Sequence, residues 1–260
     1  MTITNQESFV FILGGCMPKI FCAFFLSLLI SVPFAARAEY DYDLDVDTSD
    51  PLYLLQDDTI LSESGVSYGH DRLRLVQGLS YGLNDRLSIS GRVHYQVDFA
   101  GRGDGFSSID VGSTYRMGRA EDNDARLISD LLLGFKFGGS SHVRTPEFAD
   151  SSYYAGLRFG RQWAGVSLAG TIKSTWVFDD TRGLSYIDFI PESYFRLDND
   201  WRAGFGFTFR KSTNPKILNN QEWLNWKLLC QFGRTQYIGH VDYEFEDNEV
   251  RVGLKANILF

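Results

Sequence analysis

The chain ends in Val250-Arg251-Val252-Gly253-Leu254-Lys255-Ala256-Asn257-Ile258-Leu259-Phe260. Val250, Val252, Leu254, Ala256, Ile258 and Phe260 share one parity. Arg251, Gly253, Lys255 and Asn257 share the other, on which Leu259 is the only apolar exception. Successive side chains of a strand point to opposite faces, so the segment reads as a ribbon with one greasy face and one charged face.

Eleven segments upstream obey the same rule. With the terminal one they cover 60–67, 72–83, 86–99, 108–117, 126–137, 153–163, 165–178, 185–197, 201–210, 221–232, 235–246 and 249–260. Turn residues such as Asn84-Asp85, Asp198-Asn199-Asp200, Gly233-Arg234 and Asp247-Asn248 separate them. Apolar rows include Leu87, Ile89, Val93, Tyr95, Val97 and Phe99, and again Trp201, Ala203, Phe205, Phe207 and Phe209. Arg161 is the one charge assigned to this parity. A soluble sandwich also alternates, but it has no need of glycines such as Gly112, Gly204, Gly206 and Gly253 in its charged rows. A crowded lumen does. Trp163, Trp176, Trp201 and Trp223 lie near segment ends, where aromatic belts meet lipid headgroups. Open edges in hydrocarbon would strand backbone N–H and C=O groups at several kcal/mol each, so the sheet has to close.

The expected fold is therefore all-β: a transmembrane antiparallel β-barrel of twelve strands, an up-and-down meander over 59–260. An even count puts both chain ends in the periplasm. The long connections 100–107, 138–152, 179–184 and 211–220 then lie outside, and 118–125 is the one long turn inside. Pro191, in mid-segment, predicts a bulge or local bend.

The chain before residue 59 reads differently. Lys19, the apolar run from Ile20 to Phe34 and the small residues of Ala36-Arg37-Ala38 predict an export signal over 1–38, cut before Glu39, with Met17 a candidate start. Residues 39–58 read as a solvated acidic leader in the periplasm, in which Asp41, Asp43, Asp45 and Asp47 alternate with Tyr40, Tyr42, Leu44 and Val46. That spacing lacks the glycine turn of a calcium loop. Only Cys230 follows the signal, so no internal disulfide is expected, and its apolar parity makes it a packed small hydrophobe.

The terminal strand resembles that of Gram-negative outer-membrane barrels. The resemblance implies that Phe260 is the signal read by the barrel-assembly machinery. Tyr81-Gly82-Leu83-Asn84-Asp85-Arg86-Leu87-Ser88-Ile89 resembles a hairpin of small outer-membrane transporter families, the phenol-degradation meta-pathway type among them. Gly105-Phe106-Ser107-Ser108-Ile109-Asp110-Val111-Gly112-Ser113-Thr114-Tyr115-Arg116 is similar to the segment that follows in them. These matches imply an outer-membrane channel, or a barrel of another role.

Parity turns fourteen bases inward: Arg72, Arg74, Arg92, Arg116, Arg126, Lys136, Arg158, Lys173, Arg196, Arg202, Arg210, Lys227, Arg251 and Lys255. It turns eight acids inward: Glu63, Asp98, Asp110, Asp130, Asp188, Glu192, Asp242 and Glu244. The chain as a whole carries −8, so the lumen is basic against an acidic background. Basic rings favour anions. The leading function is thus passage of small anionic solutes, with Arg74, Arg92, Arg116, Arg158, Lys173, Arg202, Arg210 and Lys255 as the basic lining. Inward His94, Asp98, His240, Asp242 and Glu244 form a candidate polar network. The alternatives are a closed barrel with a structural or interaction role, in which mixed charges pair and plug the lumen, and an enzyme centred on His240 and Asp242. The expected partners are outer-membrane lipid, the assembly machinery and small anionic solutes. No motif calls for a cofactor, a metal or nucleic acid.

Overall fold

The computed structural model describes residues 48–101, 104–122, 125–139, 150–178, 184–214 and 219–260. The expected signal, residues 39–47 of the leader and the centres of several long connections lie outside these residues. Twelve strands follow in order: β1 (Ile60–Gly69), β2 (Arg72–Asn84), β3 (Leu87–Asp98), β4 (Gly105–Asp122), β5 (Ala125–Gly138) and β6 (Ser152–Trp163), then β7 (Val166–Val177), β8 (Ser185–Arg196), β9 (Trp201–Ser212), β10 (Gln221–Phe232), β11 (Thr235–Glu244) and β12 (Glu249–Leu259). Each pairs antiparallel with the next, and β1 pairs with β12, so the sheet is a closed twelve-stranded meander.

The seam runs from Leu61 opposite Leu259 to Tyr68 opposite Val252. At its base Ile60 donates to the Phe260 carbonyl at 3.1 Å and receives a bond back at 2.8 Å. The terminal ribbon is therefore the closing stave, as its pattern predicts. Tight turns set the register. Between β1 and β2, His70 and Asp71 both have positive φ (55° and 56°), the mirror-image turn whose twist matches the strands it joins. Asn248 and Gly233 (54° and 58°) serve the turns before β12 and β11. One rim of the barrel, the terminal rim, holds the chain end, the entry to β1 and most of the short turns, 70–71 and 245–248 excepted. The other, the loop rim, holds the longer connections.

The outer face is apolar all round. Leu79, Trp226 and Leu254 are 59%, 61% and 54% exposed, and dozens of large apolar side chains share their condition. A water-soluble monomer rarely exposes more than a few hundred Å² of contiguous apolar surface, so this belt demands lipid. Near the loop rim Tyr153 stacks on Trp176 at 4.9 Å, and Phe135 meets Phe137 and Phe178 at 4.5 and 5.6 Å. Such a cluster suits a headgroup boundary. Cys230 is free and buried.

Several expectations need correction. The long inner turn 118–125 does not exist: β4 and β5 continue pairing past a bulge at Arg116/Gly118, down to Asp122 opposite Ala125. Residues 119–122 carry no strand-breaking Gly or Pro, and the bulge restores the alternation that the parity count loses there. Pro191 makes no bulge. Pairing between β8 and β9 lapses at Ile190 and Pro191, then resumes in the same register at Glu192 opposite Gly206. Trp223 is not a belt residue: it lies opposite Glu244 and Thr208 on the lumen side, 5.1 Å beneath the Arg210 guanidinium. Arg161 is not the only outward charge either. Glu222 and Lys211, near the loop rim, share the outward parity and are exposed. Arg126 and Arg196, counted among the inward bases, sit exposed at strand ends.

The belt yields a stability prediction. Leu254→Arg puts a charge on the lipid face of the seam strand and is expected to destabilise the barrel by about 2–4 kcal/mol. Denaturant unfolding in lipid vesicles, compared with the parent chain, measures it.

Candidate functional site: the barrel lumen

The lumen is built from the charged rows of the twelve strands, and its carboxylates are gripped by bases on neighbouring strands. Asp130 on β5 receives Nε of Arg116 at 2.9 Å from β4 and a guanidinium nitrogen of Arg158 at 2.6 Å from β6. Asp188 on β8 receives Nε of Arg210 at 2.7 Å, with the Lys173 ammonium at 3.4 Å. Glu63 on β1 lies 3.4 Å from Arg92 and 3.6 Å from Lys255. Each acid is thus held between two cations. Simpler pairs join Lys227 to Glu192 at 3.2 Å and Arg72 to Asp98 at 3.0 Å.

Glycines make these reaches possible. Gly78 lies between Glu63 and Arg92, and a Cβ there would come within 3.0 Å of the Arg92 side chain. Gly112 and Gly134 make a bed for Tyr154, whose ring would be 2.3 Å from a Cβ on Gly134. The Lys173 ammonium lies 5.6 Å from the centre of that ring. A Cβ on Gly253 would strike the His240 imidazole.

In most of the lumen ion pairs the acid is the deeper partner. Asp130 and Asp188 have side chains 0% and 1% exposed, and Glu63 12%; beside Glu63, Arg92 and Lys255 reach 42% and 37%. Lys227 is 38% exposed against 23% for Glu192. In these pairs the carboxylate lies nearer the wall and the cation in front of it; Asp110, at 34% against 25% for His94, and the buried Lys136 and Arg202 do not follow that order.

The eight expected lining residues divide. Arg92, Lys173 and Lys255 face the lumen water. Arg116, Arg158 and Arg210 are committed to wall carboxylates, and Arg210 is sandwiched between Tyr186 at 4.2 Å and Trp223. Arg202 is buried and donates to the carbonyl of Asn199, bracing the terminal-rim turn at 2.8 Å. Arg74 lies opposite Gln96 and Ser67 towards the loop rim. Lys227, outside that set of eight, belongs with the water-facing group; it lies opposite His240 on one side and Gly204 on the other.

The expected polar network does not come together as one. His94 reaches Asp110 at 3.0 Å. Asp98 binds Arg72 and accepts the backbone N–H of Ala100 at 2.9 Å, which caps a loop. Asp242 accepts from Asn225 at 3.0 Å, and Glu244 accepts from Gln221 at 3.1 Å. His240 is laid over Gly253. Among the described residues no serine hydroxyl is bonded to either histidine, and no group of side chains is arranged to hold a metal. Phe260 ends the seam at the terminal rim.

Residues 48–58, part of the expected solvated leader, lie against the inner wall at the terminal rim. Leu52 is buried with Ile128 of β5 and Ala169 of β7, and Leu54 and Leu55 are buried as well. A Cβ on Gly160 would come within 2.9 Å of the Leu52 methyls. Asp50 accepts from Gln162 at 2.8 Å and from the Ser167 hydroxyl, and it also caps the Leu52 N–H at 2.8 Å. Thr48 donates to Gln236 and accepts from Asn257 at 3.1 Å. Leu229, Ile238 and Leu259, inward-facing and buried, make the same end of the lumen apolar.

No family model and no curated protein sequence matches the chain. Solved structures do. KdgM porin aligns over 76% of this chain and 98% of its own, at 13% identity and a TM-score of 0.55, and is also known in complex with disordered oligogalacturonate. NanC porin aligns over 76% and 98%, at 10% identity and 0.56. The COG4313 outer membrane channel from Pseudomonas putida F1 aligns over 83% and 100%, at 11% identity and 0.57. The shared feature is the fold, a barrel of the outer-membrane type.

The clamps give a test of the lumen wall. Asp130→Asn leaves the half-buried guanidinium groups of Arg116 and Arg158 without the buried carboxylate they share, and loss of such a partner costs up to about 3–5 kcal/mol. Adding Arg158→Gln is expected to restore part of that. Unfolding free energies of the single and double variants measure both.

Proposed function

We propose that the chain is an outer-membrane channel that passes small anionic solutes, with both chain ends in the periplasm and the loop rim outside. The observation that carries this reading is the depth order in the ion pairs of Glu63, Asp188 and Glu192: carboxylates towards the wall, Arg92, Lys173, Lys227 and Lys255 in front of them. A solute carboxylate entering such a lumen meets cations first, and their field in a narrow water-filled space favours anions. The KdgM complex lends support by chemistry, because an oligogalacturonate is a chain of carboxylates. Short turns at the terminal rim and longer connections at the other suit periplasmic and external ends respectively. A catalytic role finds little in the lumen, where Asp242 bonds to Asn225 rather than orienting His240.

In planar bilayers under a salt gradient, the reversal potential is expected to have the sign of anion preference. Arg92→Gln with Lys255→Gln is expected to reduce that preference several-fold. A cation-selective parent barrel would overturn the reading.

Phe260, at the base of the seam, is proposed as the contact for the barrel-assembly machinery. Phe260→Ala is expected to lower the amount of folded protein in the outer membrane while leaving refolding from denaturant into detergent intact. Equal loss in both settings would assign Phe260 to the seam alone.

A further inference from the structure

The geometry points to residues 48–58 being a releasable stopper, seated across the lumen wall at the terminal rim. The seat is shaped for this segment. Leu52 fills a hollow floored by Gly160 and flanked by Ile128 and Ala169. A side chain at 160 would close it. Two latches hold the segment, one on each side of the hollow. Asp50 is received by Gln162 and Ser167 on β6 and β7, and the Leu52 carbonyl accepts a guanidinium N–H of Arg116 at 2.6 Å. The far anchor at Thr48 reaches Gln236 and Asn257 on β11 and β12, while Asp58 donates its N–H to the Gly82 carbonyl on β2 at 3.0 Å. The segment therefore touches strands on widely separated sides of the ring, as a stopper must.

The bonds also argue for release. Apart from the backbone bond from Asp58 to Gly82, where the segment runs into β1, the contacts are hydrogen bonds that involve side chains and one apolar plug. Such contacts contribute singly and come apart locally, without opening the barrel. Arg116 also couples the stopper to the lumen charges. The guanidinium that holds the Leu52 carbonyl is the one that binds Asp130. The seat is therefore tied to the clamp that positions Arg158.

The test uses the full chain with Cys16, Cys22 and Cys230 replaced by Ser and Ala169→Cys placed beneath Leu52. A water-soluble thiol reagent is expected to label it slowly. With Asp50→Ala and Leu52→Ser added, labelling is expected to speed at least about ten-fold, the factor that corresponds to 1.4 kcal/mol of lost seating. Heat-dependent electrophoretic migration checks that each variant is a folded barrel. Equal labelling rates with and without the latches would overturn the stopper. Conductance is read in parallel, and this arm rests on the channel reading. A larger unit conductance in the released variant supports gating by the segment. Faster labelling with unchanged conductance overturns gating. Faster labelling with both barrels silent leaves the stopper standing and rejects the channel.

Discussion

In hydrocarbon, a backbone N–H or C=O without a partner inside the chain costs several kcal/mol, and every other feature of this molecule depends on that constraint. It forces the sheet into a ring, so that the strand ending at Phe260 has to meet the strand beginning at Ile60. Closure in turn divides the side chains by parity. One set faces lipid and is apolar around the whole circumference. The other is compressed into a lumen, where charges are close enough to choose partners across one or two strands. The clamps on Glu63, Asp130 and Asp188 follow from that compression.

Glycine sets how close those partners come. Where a wall position lacks a side chain, as at Gly78 and Gly206, a long base or acid crosses the gap; where two glycines adjoin, as at Gly112 and Gly134, an aromatic ring lies flat on the strands. At the terminal rim the same device works on apolar residues, and Gly160 leaves the hollow that receives Leu52. Bore and wall chemistry are thus governed largely by positions with no side chain of their own.

The architecture is legible in the sequence because period-two alternation repeats twelve times and the turns carry their own chemistry. The seam, the meander and the inward rows all follow from it. The departures have local causes. Around Met117 a bulge resets the parity, so the long hairpin of β4 and β5 reads as a turn. Trp223 lies near a strand end on the inward parity, and its residue type, taken by itself, argues for the belt. The clamp partners are invisible to parity, which assigns a face but not a neighbour; barrel shear decides that Asp98 meets Arg72 while His94 meets Asp110. The seat of Leu52 is hidden for the same reason, since Ile128, Gly160 and Ala169 come from three strands. One sign of it is visible: Leu259, the single apolar residue on the wet parity of the last strand, is buried in the apolar end of the lumen.

The acids behind the cations have a mechanical meaning as well as an electrical one. A free lysine or arginine in a water-filled tube swings with whatever it binds, and a departing ion has to shed that company. Arg92 and Lys255 are moored from behind by one carboxylate, as Lys173 is by Asp188. In the proposed anion channel, moored cations would keep their positions when an anion leaves, so the attraction an ion feels on arrival would be fixed in space and would not deepen as it lingers. Binding of that kind is weak at each station and repeated along the way, the condition under which a lined tube conducts instead of filling.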